Sequence, residues 1–127
     1  MIRLCKNSDL GIILDIINDS AEAYRGVIPK DRWQEPYMRN SYLKKEITEG
    51  VIFHGYYLSD DRLIGVMGVQ EKRDVTLIRH AYVRTKYRRE GIGSQLLNHV
   101  IKIVDKPLLV GTWKAANWAI SFYEKQG

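Results

Sequence analysis

A chain of 127 residues, of which 45% are hydrophobic and 28% charged, has enough apolar side chains for one ordinary core and too few for two, which predicts a single domain over residues 1–127. Its formal charge of +5 favours an anionic partner, a phosphate-bearing cofactor or a nucleic acid, over a cationic one. The N-terminal stretch has the pattern of neither a signal peptide nor a membrane span, and the single cysteine, Cys5, excludes an internal disulfide and fits a cytoplasmic protein.

The N-terminal part of the chain predicts one strand and two helices. The segment "IRLCK" is typical of a short strand, and the apolar residues after Asn7 and Ser8 recur three and four positions apart, as on one face of a helix. That face is formed by Leu10, Ile13, Leu14, Ile17, Ala21 and Tyr24. A second helix is predicted over residues 41–49, with Leu43 and Ile47 facing inward.

The central part predicts an antiparallel meander followed by a parallel strand. The strand-like segments "VIFHGYYLS", "RLIGVMGVQ" and "VTLIRHAYV" are separated by the polar turns "DD" and "EKRD". A helix opened by Gly91, the strand "LLVGTW" and the helix "NWAISFYEKQG" come next. The strand, helix and strand over residues 75–113 predict a parallel pair with a right-handed crossover, so the fold class is α/β of the mixed, α+β kind.

The segment "KYRREGIGSQLLNHV", residues 86–100, has the pattern of an anion-binding loop. A glycine-rich turn from a strand into a helix lets backbone N–H groups converge, and the helix dipole adds about half a positive charge there. A P-loop is excluded because Ser94 follows Gly93, and a dinucleotide fingerprint because Leu96 occupies the third glycine position. The alternative is that Gly91 belongs to an ordinary turn beside a solvated basic surface. Four cations favour the anion site: Arg84, Lys86, Arg88 and Arg89.

Two segments carry a resemblance to a known family. The hexapeptide "RREGIG", residues 88–93, resembles the Q/R-x-x-G-x-G/A signature of the GNAT family of N-acetyltransferases, whose loop holds the pyrophosphate of acetyl-coenzyme A. The longer segment "HAYVRTKYRREGIGSQLL" resembles the family's strand, loop and helix, and "WAISFYEKQG" resembles its later helix. The resemblance implies a mixed, mostly antiparallel central sheet flanked by helices, with one parallel strand pair splayed apart.

The resemblance also implies acetyl-coenzyme A as cosubstrate, with its pantetheine arm between the splayed strands. Backbone N–H groups from Arg89 to Ser94 would hold the pyrophosphate, and the glycines would leave room for the phosphates. The side chains of Arg88 and Arg89 either add positive charge or point to solvent. The implied cofactor-binding residues are Tyr82, Val83, Arg88, Arg89, Glu90, Gly91, Ile92, Gly93, Ser94 and Asn117.

The later helix keeps one functional position of the family and departs at another. Tyr123 corresponds to the tyrosine that acts as general acid and protonates the departing thiolate; the alternative is a buried aromatic beside Phe122. Ala116 stands where the cofactor-contacting asparagine is usual, and Asn117 comes one place late. One residue is about 100 degrees of helix rotation, so Asn117 either makes that contact from a changed position or acts at the helix start.

Two residues, Glu71 and His80, are candidates for the general base. Some family members carry a glutamate where this chain has Gly111, so the base must lie elsewhere. Glu71 is the leading candidate, directly or through water, although it also fits a turn residue paired with a neighbouring cation. His80 is the second candidate, but strand alternation would place it with Ile78 and Tyr82 on one face, as an interior histidine. No metal site is predicted.

The acceptor groove is expected along the segment "AYRGVIPKDRWQEPYM", because the family's N-terminal helix-loop-helix usually lines it. Tyr24, Trp33, Glu35 and Tyr37 either shape an amine pocket or pack as a lid. No motif identifies the acceptor.

The chain ends at "FYEKQG", where family members usually continue with two further strands. We therefore expect either a C-terminally truncated version of a longer protein, with those strands missing, or a homodimer in which a second copy covers the exposed edge of "LLVGTW".

Three functions are considered. The favoured one is an acetyl-CoA-dependent N-acetyltransferase that moves the acetyl group directly to a primary amine in a ternary complex, since no cysteine or serine resembles an activated nucleophile. The second is a non-catalytic, regulatory coenzyme A-binding domain of the same fold. A nucleic-acid-binding domain ranks last because neither a helix-turn-helix nor an aromatic RNA-binding signature is visible, and no membrane partner is expected.

Overall fold

The computed structural model describes residues 1–22 and 38–110. Its five strands are β1 (Ile2–Leu4), β2 (Val51–Tyr57), β3 (Leu63–Glu71), β4 (Thr76–Val83) and β5 (Leu108–Val110). Its three α-helices are α1 (Leu10–Ala21), α2 (Asn40–Thr48) and α3 (Ile92–Ile103). Short 3-10 helices over Asn7–Asp9 and Thr85–Tyr87 precede α1 and α3. The predicted last helix, the end of "LLVGTW" and the expected acceptor segment up to residue 37 lie outside these residues.

The strands form one sheet in the order β1-β2-β3-β4-β5. Every neighbouring pair is antiparallel except β4 and β5, which are parallel, with Thr76 opposite Leu108 and Ile78 opposite Val110. Helix α3 connects β4 to β5, as a parallel pair requires. The predicted meander, parallel pair and mixed, mostly antiparallel sheet flanked by helices are therefore confirmed.

Helices cover both faces of the sheet. The first cluster, which we call the α1/α2 core, contains Ile13, Ile16, Ile17, Met38, Leu43, Val51, Phe53, Tyr57, Leu63 and Val66. The second, the α3 core, contains Ile64, Met67, Val69, Ile78, Ile92, Leu96, Leu97 and Val100. Strand β3 contributes to both cores and is buried at every position from Leu63 to Gln70, because a strand with helices on both faces has no solvent side.

A β-bulge in β4 changes which way its side chains face. Val69 pairs with Ile78 and the adjacent Gly68 pairs with His80, so Arg79 is the extra residue. Ile78 consequently packs in the α3 core, whereas His80 lies on the opposite face. The expectation that Ile78 and His80 share a face is therefore wrong, because it assumed unbroken alternation.

Strand β5 lies at one edge of the described sheet, and its Leu109 is 51% exposed. A homodimer through this edge stays a prediction. Sedimentation of the purified chain at several concentrations tests the dimer, which requires a mass of two chains.

Candidate active site

The loop between β4 and α3 has a backbone suited to an anion. Gly91, the residue before α3, has φ +80°, and Arg89 has φ +67°; no side chain caps the helix start. Where left-handed and right-handed residues alternate, successive backbone N–H groups point into one concave anion-binding site, called a nest. Helix geometry also leaves the N–H groups of Ile92 and Gly93 without intrahelical acceptors. The predicted loop residues therefore lie together at the N-terminus of a twelve-residue helix.

Gly91 is required by its backbone conformation and not by crowding from other protein atoms. A Cβ built on Gly91 meets no heavy atom within 4 Å, so the space beside this residue is open. A left-handed conformation disfavours a side chain by about 1–2 kcal/mol, which glycine avoids. The residue thus combines a left-handed turn with open space on its outer side, as a bound phosphate requires.

Basic side chains surround this loop at different depths. Lys86 and Arg89 are exposed, whereas Arg84 and Arg88 are half-buried. Glu90, also exposed, is the one acidic residue between positions 84 and 94. The loop thus has a net positive charge before the helix dipole is added.

An aspartate of α1 anchors the start of the loop. Oδ2 of Asp19 accepts a hydrogen bond from the backbone N–H of Thr85 at 2.8 Å, and the Thr85 hydroxyl lies 3.3 Å from both carboxylate oxygens. The Arg84 N–H donates to the Ile64 carbonyl at 2.9 Å. The loop is therefore held from α1 and from β3. Sequence reasoning missed Asp19 because its partner is 66 residues away.

The end of β4 leads into this loop. Tyr82 and Val83 pair with Val66 and Gly65 of β3. On the other side, the described ladder to β5 ends at Ile78. The described pairing between β4 and β5 thus covers Thr76 to Ile78, and Val110 is the last residue of β5.

A buried Glu46–His80 pair, joined by the exposed Arg79, lies beside the β4 bulge. Glu46 of α2 is 4% exposed, and its Oε1 lies 2.9 Å from Nε2 of His80 while Oε2 accepts from Arg79 at 3.4 Å. Arg79 also donates to Oε1 of Gln70 at 3.2 Å. A carboxylate this buried requires such partners, since an unpaired one would be strongly destabilising. Sequence analysis missed Glu46, although it lies three residues after the inward Leu43 and so shares its helix face.

His80 itself is 8% exposed and its ring stacks on Phe53, with centroids 5.6 Å apart and planes 18° apart. Tyr82 lies on its other flank, at 5.9 Å between ring centroids. Nδ1 of His80 is buried and has no hydrogen-bond partner among the residues that the structure describes. His80 is therefore buried, but the sequence favours an interior histidine with both ring nitrogens satisfied, and here only Nε2 has a partner among the described residues.

Glu71 lies at the other end of β4. It pairs with Thr76, the first residue of the strand, while the loop follows Val83, the last. Its carboxylate contacts Nζ of Lys106 and Oγ1 of Thr76, each at 2.8 Å. The hydrogen bond from Lys106, then that from Thr76, lowers the pKa of Glu71. The structure does not bring Glu71 together with the loop, and a lowered pKa makes it a weaker proton acceptor.

The single cysteine lies far from the loop. Cys5 follows β1, and its backbone bonds to Phe53 of β2, so two strands separate it from β4. Burial raises the pKa of the Cys5 thiol, which disfavours the nucleophilic thiolate. Both observations agree with a direct acetyl transfer that forms no acetyl-cysteine intermediate.

A cavity of about 470 Å³ opens between α1, α2 and the β1 side of the sheet. Apolar side chains such as Leu10, Ile13 and Ile47 line it, together with Lys6 and Lys44. Its described lining includes no acidic side chain, so nothing there attracts an ammonium ion. The cavity does not fit the acceptor amine.

Several predicted residues lie outside the described part of the chain: Tyr24, Trp33, Glu35, Tyr37, Gly111, Asn117 and Tyr123. Within residues 1–22 and 38–110, no group of three or more His, Cys, Asp or Glu side chains is placed to hold a metal ion. In the same residues, no helix is long and apolar enough to cross a membrane.

Comparison with known proteins decides the family. Residues 13–127 match the model of the acetyltransferase (GNAT) family, which is nearly the whole chain. The chain belongs to the GNAT acetyltransferase family. This GNAT chain matches none of the curated proteins in sequence. Family membership agrees with acetyl-coenzyme A as the predicted cosubstrate.

Solved structures share this GNAT fold over the whole chain. The PaiA N-acetyltransferase of Thermoplasma acidophilum, solved in complex with coenzyme A, is 24% identical with a TM-score of 0.79, over 100% of this chain and 87% of that one. The ribosomal-protein-S18-alanine N-acetyltransferase of Escherichia coli is 18% identical with a TM-score of 0.78, over 100% and 76%. A transcriptional regulator of Bacillus halodurans is 21% identical with a TM-score of 0.77, over 100% and 91%. At these identities the likeness establishes the fold alone.

Proposed function

We propose that this GNAT domain is a cytoplasmic, acetyl-CoA-dependent N-acetyltransferase that moves an acetyl group directly to a primary amine in a ternary complex. The observation that carries the proposal is the uncapped, left-handed start of α3 at Gly91, surrounded by basic side chains. Backbone N–H groups from Arg89 to Ser94 hold the pyrophosphate there. A helix N-terminus of this kind stabilises phosphate through both hydrogen bonds and the helix dipole.

The arm of the cosubstrate runs along β4 on the side that faces β5. Extended, an arm of about twelve bonds spans on the order of 15 Å. The four strand steps from Val83 back to Arg79 span about 13 Å. Tyr82 and Val83 thus contact the arm through their backbone, and the thioester reaches the bulge. Glu71, which pairs with Thr76, lies three strand steps beyond Arg79, about 10 Å from the proposed position of the thioester, so it would act there only through water.

The reaction also needs two proton transfers, one from the acceptor ammonium and one to the departing thiolate. A primary amine with a pKa of about 10.4 is protonated at neutral pH and must lose a proton before it attacks the thioester. Tyr123, on the predicted later helix, then protonates the departing thiolate, and Asn117 contacts the cofactor or the helix start. Nδ1 of His80, beside the bulge, has no hydrogen-bond partner among the described residues, which supports a general base in that region.

The experiment is calorimetric titration of the purified chain with acetyl-coenzyme A, followed by thiol release in the presence of a panel of primary amines. Saturable binding with amine-dependent release is expected. Tyr123→Phe should lower turnover while the affinity for acetyl-coenzyme A persists. Binding without release for any amine would instead support the regulatory coenzyme A-binding alternative, and absence of binding would contradict both.

A further inference from the structure

We propose that His80 accepts the proton of the acceptor ammonium through Nδ1, directly or by way of one water molecule, and that Glu46 positions His80 for this task. The proposal rests on the proposed acetyl transfer and names the base for that same site. It replaces Glu71, whose carboxylate is engaged by Lys106 at the far end of β4.

The first argument is the hydrogen bond that selects the tautomer. An ionised carboxylate only accepts hydrogen bonds, so Oε1 of Glu46, 2.9 Å away, requires a proton on Nε2 of His80. Neutral imidazole carries one ring proton, and therefore Nδ1 carries the lone pair. A buried lone pair without a described donor is an acceptor that awaits an N–H or O–H group.

The second argument is position. His80 follows the bulge residue Arg79, and the strand span from Val83 to this bulge matches the length of an extended arm, about 13 Å against on the order of 15 Å. His80 therefore lies, along β4, beside the proposed position of the thioester, which the attacking nitrogen must also approach. His80 faces the α1/α2 core, and the chain between these two helices carries the segment expected to line the acceptor groove.

The third argument is charge. Within residues 1–22 and 38–110, the charged and titratable groups around His80 are Glu46 from α2 and, on its own strand, Tyr82 and Arg79, which also bonds Glu46. From β2 and β3 the neighbours are the neutral Phe53 and Gly68. On α1, Asp15 is exposed and Asp19 holds Thr85. The buried carboxylate of Glu46, at contact distance, attracts a proton to the ring, and it shares this attraction with Arg79.

The proton balance is complete without another reactant. An N–H bond of the ammonium breaks and its proton goes to Nδ1, which frees the nitrogen lone pair. That lone pair forms the C–N bond as the C–S bond breaks. The departing sulfur is protonated by Tyr123, which regains a proton as the nitrogen loses its second one. His80 then returns its proton to water, so the products are amide, thiol and one proton.

The test compares His80→Gln with His99→Gln. Glutamine keeps a donor for Glu46, so the fold should persist, and His99 is a half-buried histidine of α3 on the other face of the sheet. For His80→Gln we expect kcat/KM for the amine to fall by about 10²–10⁴-fold and to lose the rise with pH that a histidine base produces, with unchanged affinity for acetyl-coenzyme A. His99→Gln should change kcat/KM by less than about threefold.

A second measurement does not depend on turnover. Nitrogen NMR of the labelled imidazole rings should show His80 protonated at Nε2 and bare at Nδ1 in the full chain. In Glu46→Gln the side-chain amide can donate as well as accept, so this tautomer should lose its dominance, and kcat/KM should fall with it.

Three outcomes would overturn the assignment. One is an Nδ1-protonated tautomer in the wild-type chain, whatever its activity. Another is His80→Gln with kcat/KM close to wild type, in which case the proposed acetyl transfer stands without this base. The third is wild-type chain that binds acetyl-coenzyme A but acetylates no amine, which removes the proposed function and this role together.

Discussion

The backbone N–H of Thr85 donates to Oδ2 of Asp19 at 2.8 Å and thereby joins the start of the anion-binding loop to helix α1. Asp19→Ala should therefore raise the dissociation constant for acetyl-coenzyme A by about tenfold or more, because a hydrogen bond to a charged group contributes about 1.5–3 kcal/mol. Calorimetric titration checks this. Thr85→Val is the matched control: it removes only the longer hydroxyl contacts and should change the constant little. Equal affinity in wild type and Asp19→Ala would show that the anchor does not shape the loop.

Gly91 should tolerate alanine poorly although the space beside it is open. With φ at +80°, Gly91→Ala should destabilise the loop by about 1–2 kcal/mol and weaken binding of acetyl-coenzyme A correspondingly. Gly11→Ala offers the contrast, because Gly11 lies within α1, also in open space. There alanine should stabilise the helix by up to about 1 kcal/mol. Thermal unfolding of both variants should shift in opposite directions, and a parallel shift would contradict the conformational argument.

Glu71 is subject to two opposed predictions. If Glu71 only forms an ion pair with Lys106, Glu71→Gln should lower the unfolding temperature slightly at pH 7 and leave kcat/KM nearly unchanged. If Glu71 is instead the general base, the same substitution should lower kcat/KM by about 10²-fold or more. Its folded pKa is lowered, so the stabilisation is present above the unfolded value and is lost as pH falls through the folded one. The difference between the two proteins should accordingly begin to shrink as pH falls below the ordinary glutamate value of 4.5, and it should also shrink with added salt.

His54 should make the fold sensitive to mild acid. Burial, and then the nearby His99, lowers the pKa of His54, whose ring is 6% exposed. The folded state therefore binds this proton less readily than the unfolded chain, so stability is full above the unfolded value near 6.5 and declines as pH falls below it. Denaturant unfolding at pH 7 and pH 5 measures the decline. His54→Phe, which cannot be protonated, should reduce it, whereas an equal decline in that variant would assign the effect to other groups.

Periodic patterns predicted the elements well because they depend on local spacing. The sequence predicts an apolar stripe on α3 formed by Ile92, Leu96, Leu97, Val100, Ile101 and Val104; the first four are buried and Val104 is half-buried, whereas Ile101 is exposed. Helix α2 covers Asn40–Thr48 against a predicted 41–49. The glycine-rich loop was recognisable for the same reason, since its conformation is encoded in adjacent residues.

Features that depend on register and long-range packing were not predictable from the sequence. Nothing local to Arg79 marks it as a bulge, and this single extra residue decides which core His80 enters. The burial of Glu46 required knowing that α2 packs over β4, because a glutamate on a helix is usually solvated. Pairing of Asp19 with Thr85 likewise joins two segments that have no sequence relationship.

Strand β3 belongs to both cores and is hydrogen-bonded on both edges, to β2 and to β4. Its amides cannot reach solvent by fraying from one side, so they should exchange with deuterium only when the whole molecule unfolds. The slowest-exchanging amides of β3 therefore report the global free energy of unfolding. The two halves of the hydrophobic interior consequently lose their structure as one cooperative unit, and a substitution in either core should accelerate exchange in the other.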